Sequence, residues 1–396
     1  MWLIGVMTAG VACVTTWLVT PSIVRIAHRL GVVDHPGPRK IHAVPVPRIG
    51  GVAVFLGFAA GLMYAAFASG YVTNVDHERV GYWSILGIAA VVVLILGLVD
   101  DIRPVSFQWK FIVQVLAAST VWAAGFQVHM VGVPFVSDPV QLGWLSLPLT
   151  VLWIVGITNA FNLIDGLDGL SAGTALITTT AVAILALYGE RNAVSAVSVA
   201  LVGALVGFLR YNFVPARIFL GDSGSMFLGF TIAVISIHGN QKNVTAVAVF
   251  APLLIMGYPI LDTSIAIARR LNTIRTDAAD RGGLGYMARN AYRVFLPDRG
   301  HLHHRLLEAG LSHRGAVLSL YACALVLAGA ALVLVVSNSL AVAILLAGLL
   351  TVLTLAFFAF VIVRSRIAVR LREAAAAEVP QPAPRSVTPG EVLGQR

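Results

Sequence analysis

The chain has 396 residues, 58% of them hydrophobic and 11% charged, with a formal net charge of +9. Ordinary soluble domains carry about 25% charged residues, so a water-soluble globular protein is excluded and an integral membrane protein is expected. The basic excess calls for no nucleic-acid partner, because membrane topology and an anionic lipid or substrate account for it.

Apolar stretches of about 20 residues, enough to cross the hydrocarbon layer, recur along the chain. We read roughly eleven: 1–24, 49–71, 82–98, 109–124, 142–158, 168–188, 194–209, 223–239, 244–268, 315–336 and 340–363. The first has no basic n-region and too long an apolar run for a signal peptide, so it is read as a spanning helix. The fifth is short and carries Pro148, which leaves a ten-helix count open. With eleven, the loops 25–48, 99–110, 210–217 and 269–314 and the tail 364–396 share one side and hold 24 of the 27 Lys and Arg residues. The other side has Arg79, Arg191 and Lys242. By the positive-inside rule the rich side is cytoplasmic, the amino terminus outside and the carboxyl terminus inside. The expected fold is all-α and polytopic in the plasma membrane. Residues 1–372 form one integral domain with active loops at 25–48, 99–110, 159–167, 210–222 and 269–314, followed by a disordered tail, 373–396. Cys13 and Cys323 lie within spans, against a disulfide framework.

The polar residues at membrane level fall on the basic side. Lys40, His42 and Arg48 bring cations there ahead of the second span. The third span ends in Asp100-Asp101, two carboxylates that oppose a helix carboxyl end and repel each other. A divalent cation or a cationic side chain would offset them, and Arg103 and Lys110 lie at the same depth; a solvated helix end is the plain alternative. The fifth span runs into Asn159, Asn162, Asp165 and Asp168, with glycines between, an oxygen-rich set suited to a hard cation. Asp168 equally suits the N-cap of the next helix. Asp222 sits between Gly221 and Gly224, where backbone and phosphate can approach closely; it could cap a helix and bind a metal together. Asp262 lies inside a span, where an ionisable group is functional or paired; Arg269 and Arg270 follow it. The long loop 269–314 carries a helical apolar pattern at Leu284, Met287, Ala288, Ala291, Tyr292 and Phe295, suited to a helix in the headgroup plane or packed on neighbouring loops. It ends in His301, His303, His304 and Arg305, donors suited to a diphosphate. Zinc is disfavoured there by the lack of cysteine partners.

LVDDIRP, NAFNLIDGLDGLSAG, FLGDSGSMFLGF and HLHHRL, in that order on one membrane side, resemble the polyprenyl-phosphate N-acetylhexosamine-1-phosphate transferases over about residues 30–315. KIH, PRIGG and HLHH are similar to the undecaprenyl-phosphate GlcNAc-1-phosphate branch, more than to the phospho-N-acetylmuramoyl-pentapeptide transferases. The resemblance implies Mg²⁺, with Mn²⁺ as a substitute, held at Asn162 and Asp222. It implies catalytic roles for Asp100, Asp101 and Asp165. It also implies substrate binding by Lys40, His42, Arg48, Lys110, Asn159, Asp168, His301, His303, His304 and Arg305. Its substrates would be a polyprenyl phosphate and UDP-GlcNAc, another UDP-amino sugar or UDP-MurNAc-pentapeptide. Residues 273–294 depart from the family pattern as an insertion in the loop tied to sugar choice. A homodimer is compatible with the sequence, which sets no oligomeric state. A transporter would share the many spans, but its polar residues would lie near mid-membrane rather than at helix ends.

Overall fold

A computed structural model describes residues 2–36, 44–68, 77–131, 139–239, 246–281, 283–290 and 301–337, with interspersed residues from 339 to 367. The described chain is helical almost throughout. It opens with α1 (Trp2–Leu30), a small antiparallel pair β1 (Val33–Asp34) and β2 (Val46–Pro47), α2 (Gly50–Ala68), α3 (His77–Ile102) and α4 (Phe107–Ala123). A second strand pair, β3 (Met130–Val131) and β4 (Val140–Gln141), leads to α5 (Ser146–Ile164), α6 (Leu170–Tyr188), α7 (Asn192–Asn212) and α8 (Gly221–Gly239). The last elements are α9 (Ala246–Ile255), α10 (Gly257–Arg281), α11 (Gly283–Asn290), α12 (Leu302–Glu308) and α13 (His313–Ser337).

Among the described residues, seven helical segments are long and apolar enough to cross a membrane: α1, α2, Trp83–Ile102 of α3, Gly143–Ile164 through α5, α6, α7 and α13. Gly221–Ile237 and Ile344–Thr354 are shorter apolar helices. The protein is therefore an all-α membrane protein. The fourth, eighth and ninth expected spans are occupied by α4, α8 and the α9–α10 pair, which miss the same length and apolarity. The ninth is divided at Met256, between the end of α9 and the start of α10. The inner loop expected from 269 is helical as far as Arg281. Its helix continues because Ile274 and Ala278, four residues apart, are buried and give it an apolar stripe. α11 covers the start of the expected surface helix, while Ala291, Tyr292 and Phe295 lie outside the described residues.

The hub is α8, in which every residue from Ser223 to Ile237 is buried. A helix apolar on all sides belongs in the core, and α2, α3, α5 and α6 surround this one. Elsewhere, α1 packs into α2 and α7 at glycines. A Cβ on Gly57 would come within 2.7 Å of the Ala12 carbonyl oxygen, and one on Gly203 within 2.7 Å of the Ala9 Cα. Without a hydrophobic drive between helices in lipid, such close backbone approach is a main source of association.

Candidate active site

The site begins at the α3–α4 corner. Pro104 follows Arg103 directly and blocks a longer helix, so α4 turns back at Phe107 and lays Lys110 beside the end of α3. The Lys110 ammonium bonds Asp100 Oδ2 and also Asp222 Oδ2 at 2.9 Å, joining α3, α4 and α8. Asp100 Oδ1 accepts the Val105 N–H at 2.6 Å, which fixes the corner itself. Asp101 points the other way and is buried. Its two oxygens accept the backbone N–H groups of Asp222 (2.9 Å) and Ser223 (3.0 Å), so it caps α8 from another helix. Asp222, expected as a cap, is thereby released to meet Lys110. A carboxylate at that helix start also complements the macrodipole.

A second support holds the α8 entry. Phe219 N–H donates to the Pro47 carbonyl (2.8 Å), Gly50 N–H to Phe219 (3.0 Å) and Gly51 N–H to Leu220 (2.8 Å). The PRIGG and FLGD segments thus pair backbone to backbone. Gly221 takes φ +73°, and a Cβ there would meet the Arg48 carbonyl and lie 2.6 Å from Asp101 Oδ2, so glycine is required by both conformation and space. The Arg48 guanidinium lies 3.9 Å from Asp34.

The α5–α6 connection brings the amides and remaining acids. Asn159 donates to Gln114 Oε1 (2.6 Å) and to the Val155 carbonyl (2.8 Å). Asn162 donates to Ser225 Oγ at 3.0 Å and also hydrogen-bonds the Asp222 carboxylate. Asp165 is held well above the usual carboxylate range, first by desolvation and then by the charges of Asp222 and Asp101. Asp168 does not cap α6. The cap is Gly169 in the left-handed region, and Asp168 Oδ2 instead accepts the Ala216 N–H (2.9 Å), tying this turn to the loop before α8. Its own N–H donates to His313 Nε2 at 3.2 Å.

The histidine motif closes over this turn. His303 Nε2 packs against Gly166, where a Cβ would sit 2.6 Å from it. His301 and His303 stack with ring centroids 5.7 Å apart and planes 7° apart, and His304 lies 4.3 Å beyond His303. Arg305 follows in α12. Burial, with the neighbouring His304 next, pushes the His303 imidazole down to about 3, so it is neutral at physiological pH. Asp262 Oδ2 lies 2.8 Å from His301 Nδ1, and Oδ1 accepts the Leu302 N–H at 2.7 Å.

Asp100, Asp101, Lys110, Asn162 and Asp222 thus meet through direct bonds, with Asp165 close enough for its charge to feel two of them. His301, His303 and His304 join the set by stacking and through Gly166. Asn159 and Asp168 are tied to framework groups. Lys40, His42 and the tail from 373 lie outside the described residues. Sequence reasoning missed Gln114, one helical turn beyond Lys110 in an apolar stretch and so visible as a polar residue on the same helix face. It also missed His313, a further histidine on the basic side.

Comparison with known proteins fits this geometry. The family model described as glycosyl transferase family 4 matches residues 83–240, which include three of the four motifs. A probable undecaprenyl-phosphate N-acetylglucosaminyl 1-phosphate transferase of Bacillus subtilis is 39% identical over 324 residues, 82% of this chain and 83% of the relative. The chain belongs to glycosyl transferase family 4. Other relatives include the decaprenyl-phosphate N-acetylglucosaminephosphotransferase of Mycobacterium tuberculosis, 35% identical over 78% of this chain and 77% of the relative. A phospho-N-acetylmuramoyl-pentapeptide-transferase of Desulforudis audaxviator is 32% identical over 81% of this chain and 95% of the relative.

Proposed function

We propose that this protein transfers N-acetylglucosamine 1-phosphate from UDP-GlcNAc to a polyprenyl phosphate, giving polyprenyl-diphosphate-GlcNAc and UMP. The observation that carries the reading is Lys110 bridging Asp100 and Asp222 beside Asp165, because such a site handles two phosphate-bearing substrates by charge placement. The names of relatives sharing about four-fifths of the chain support the same sugar and lipid class. The active face is cytoplasmic, supported by the charge asymmetry of the loops.

The donor set fits a divalent cation. Asp165, Asp222 and Asn162 offer hard oxygen ligands, and a cation there would offset the charges of Asp222 and Asp101 that, after desolvation, hold Asp165 above the usual carboxylate range. Asp222 and Asn162 would hold Mg²⁺, with Mn²⁺ as a substitute, and the ion would supply neutralisation of diphosphate oxygens. The chain's own residues do the rest. A lipid phosphate oxygen attacks the sugar-linked phosphorus of UDP-GlcNAc; the new P–O bond forms as the P–O bond to UMP breaks. The acceptor is largely a dianion at neutral pH, since its second pKa is about 6, and UMP leaves carrying the bridging oxygen, so no strong base is required. Lys110 draws in the anionic groups, and Asp100 orients its ammonium. Asp101 serves by fixing the α8 entry. His301 and His303 contact the nucleotide-sugar diphosphate. This is a one-step transfer; a phosphorylated aspartate trapped with UDP-sugar alone would replace it with a two-step route.

The test is transfer of labelled sugar from UDP-GlcNAc to undecaprenyl phosphate by purified protein, with Mg²⁺ and with chelator. Metal-dependent lipid product with UMP release supports the reading. Product from a different UDP-sugar alone would move the specificity, and no product from any nucleotide sugar would sink it.

A further inference from the structure

Asp262 is the buried acid that the reaction above does not use. It lies within α10 and is 2% exposed, in a setting where a lone carboxylate would be costly. Both oxygens are engaged by the start of the histidine motif: Oδ2 with His301 Nδ1 at 2.8 Å, and Oδ1 with the Leu302 N–H at 2.7 Å. An ionised carboxylate only accepts hydrogen bonds, so the ring proton belongs on Nδ1. The partner of one imidazole nitrogen decides what the other can do. From His301 the stack runs to His303 at 5.7 Å, and His303 rests on Gly166, the neighbour of Asp165. One buried carboxylate therefore anchors a row of rings that ends at the acid cluster. The same contact joins α10 to the start of α12.

We propose that Asp262 is a positioning residue for the nucleotide-sugar half of the site. It holds His301 with the proton on Nδ1, so that any substrate contact of His301 is made through Nε2. The proposal rests on the reading above, in which His301 meets the diphosphate donor.

The test is D262N in the full-length protein, assayed with UDP-GlcNAc and undecaprenyl phosphate varied separately. The asparagine oxygen can still accept the Leu302 N–H, while its NH₂ donates to His301 Nδ1 and moves the ring proton to Nε2. The backbone tie is kept and the tautomer reversed. The expected result is a loss of kcat/KM for UDP-GlcNAc on the order of 10- to 100-fold, the usual cost of removing a group that orients a functional histidine. KM for the lipid phosphate and the melting temperature should stay at wild-type values, and D262N should add nothing in an H301A background. If D262N does not fold, D262S, which keeps an oxygen but cannot span to His301, carries the same comparison. Turnover within twofold of wild type, equal losses toward both substrates, or a loss that multiplies with that of H301A would each overturn the proposal alone. A wild-type protein inactive with every nucleotide sugar would overturn it together with the reading beneath it.

Discussion

Adjacent aspartates with nearly identical sequence surroundings have divergent roles here. Asp100 meets Lys110 and lies where substrate charge would gather, whereas Asp101 spends both oxygens on backbone N–H groups of α8. D100N should therefore lose at least about 100-fold in kcat, the scale for removing a preorganised electrostatic contact, with a smaller fall in melting temperature than D101A, because the asparagine oxygen can still accept the Val105 N–H. D101A should lose activity and stability together, because each buried N–H left without an acceptor costs about 1–3 kcal/mol. Thermal unfolding in detergent beside the transfer assay separates the two, and equal melting temperatures would count against the capping role. His303 supplies a pH test. Its folded pKa, about 3, lies below the ordinary imidazole value of about 6.5. Between those limits the unfolded chain binds more protons, so His303 contributes stability that is complete above about pH 6.5 and is lost as pH falls toward 3. H303N should flatten this acid slope in a pH series of unfolding curves. The pairing of Asp101 with α8 was not legible in the sequence, since an acid that caps its own helix and one that caps another look alike as residues.

At the level of elements, the sequence placed a helix on each expected span that the structure describes, because apolar runs of that length have one low-energy backbone in lipid. It also put the four motifs on one side. What it could not give were contacts set by backbone approach. Gly166 reads as a flexible turn residue, yet its place is dictated by His303 packed on it. G166A should displace the histidine motif and lower turnover by about tenfold or more, the scale of a misplacement near 1 Å, while the protein still inserts. Wild-type turnover in G166A would show that the contact is slack. The α10 extension was missed for another reason: residues 269–281 are polar enough to read as loop, and only Ile274 and Ala278 mark the buried stripe. Asp262 was visible as an anomaly, an acid in an apolar helix, but its partner lies 39 positions away and no local spacing names it.

For the whole molecule, the lopsided distribution of Lys and Arg predicts orientation. In a variant lacking Cys13 and Cys323, a cysteine at Glu190 should react with an impermeant maleimide added outside intact cells, and one at Arg217 only after the membrane is opened. The reverse pattern would invert the topology and place the acid cluster on the other face. The ladder between β2 and the α8 entry has a consequence for biosynthesis. Gly50 and Gly51 leave the ribosome early and must wait for Phe219 and Leu220, with nearly half the chain in between. At translation rates of about 5–20 residues per second, that wait is roughly 10–30 s. A nascent chain halted before α8 thus lacks the strand-like clamp, the Asp101 cap and the Lys110 bridge at once. Products truncated before α8 should be inert toward both substrates, because the acid cluster assembles only once α8 has emerged and the histidine motif joins it later still.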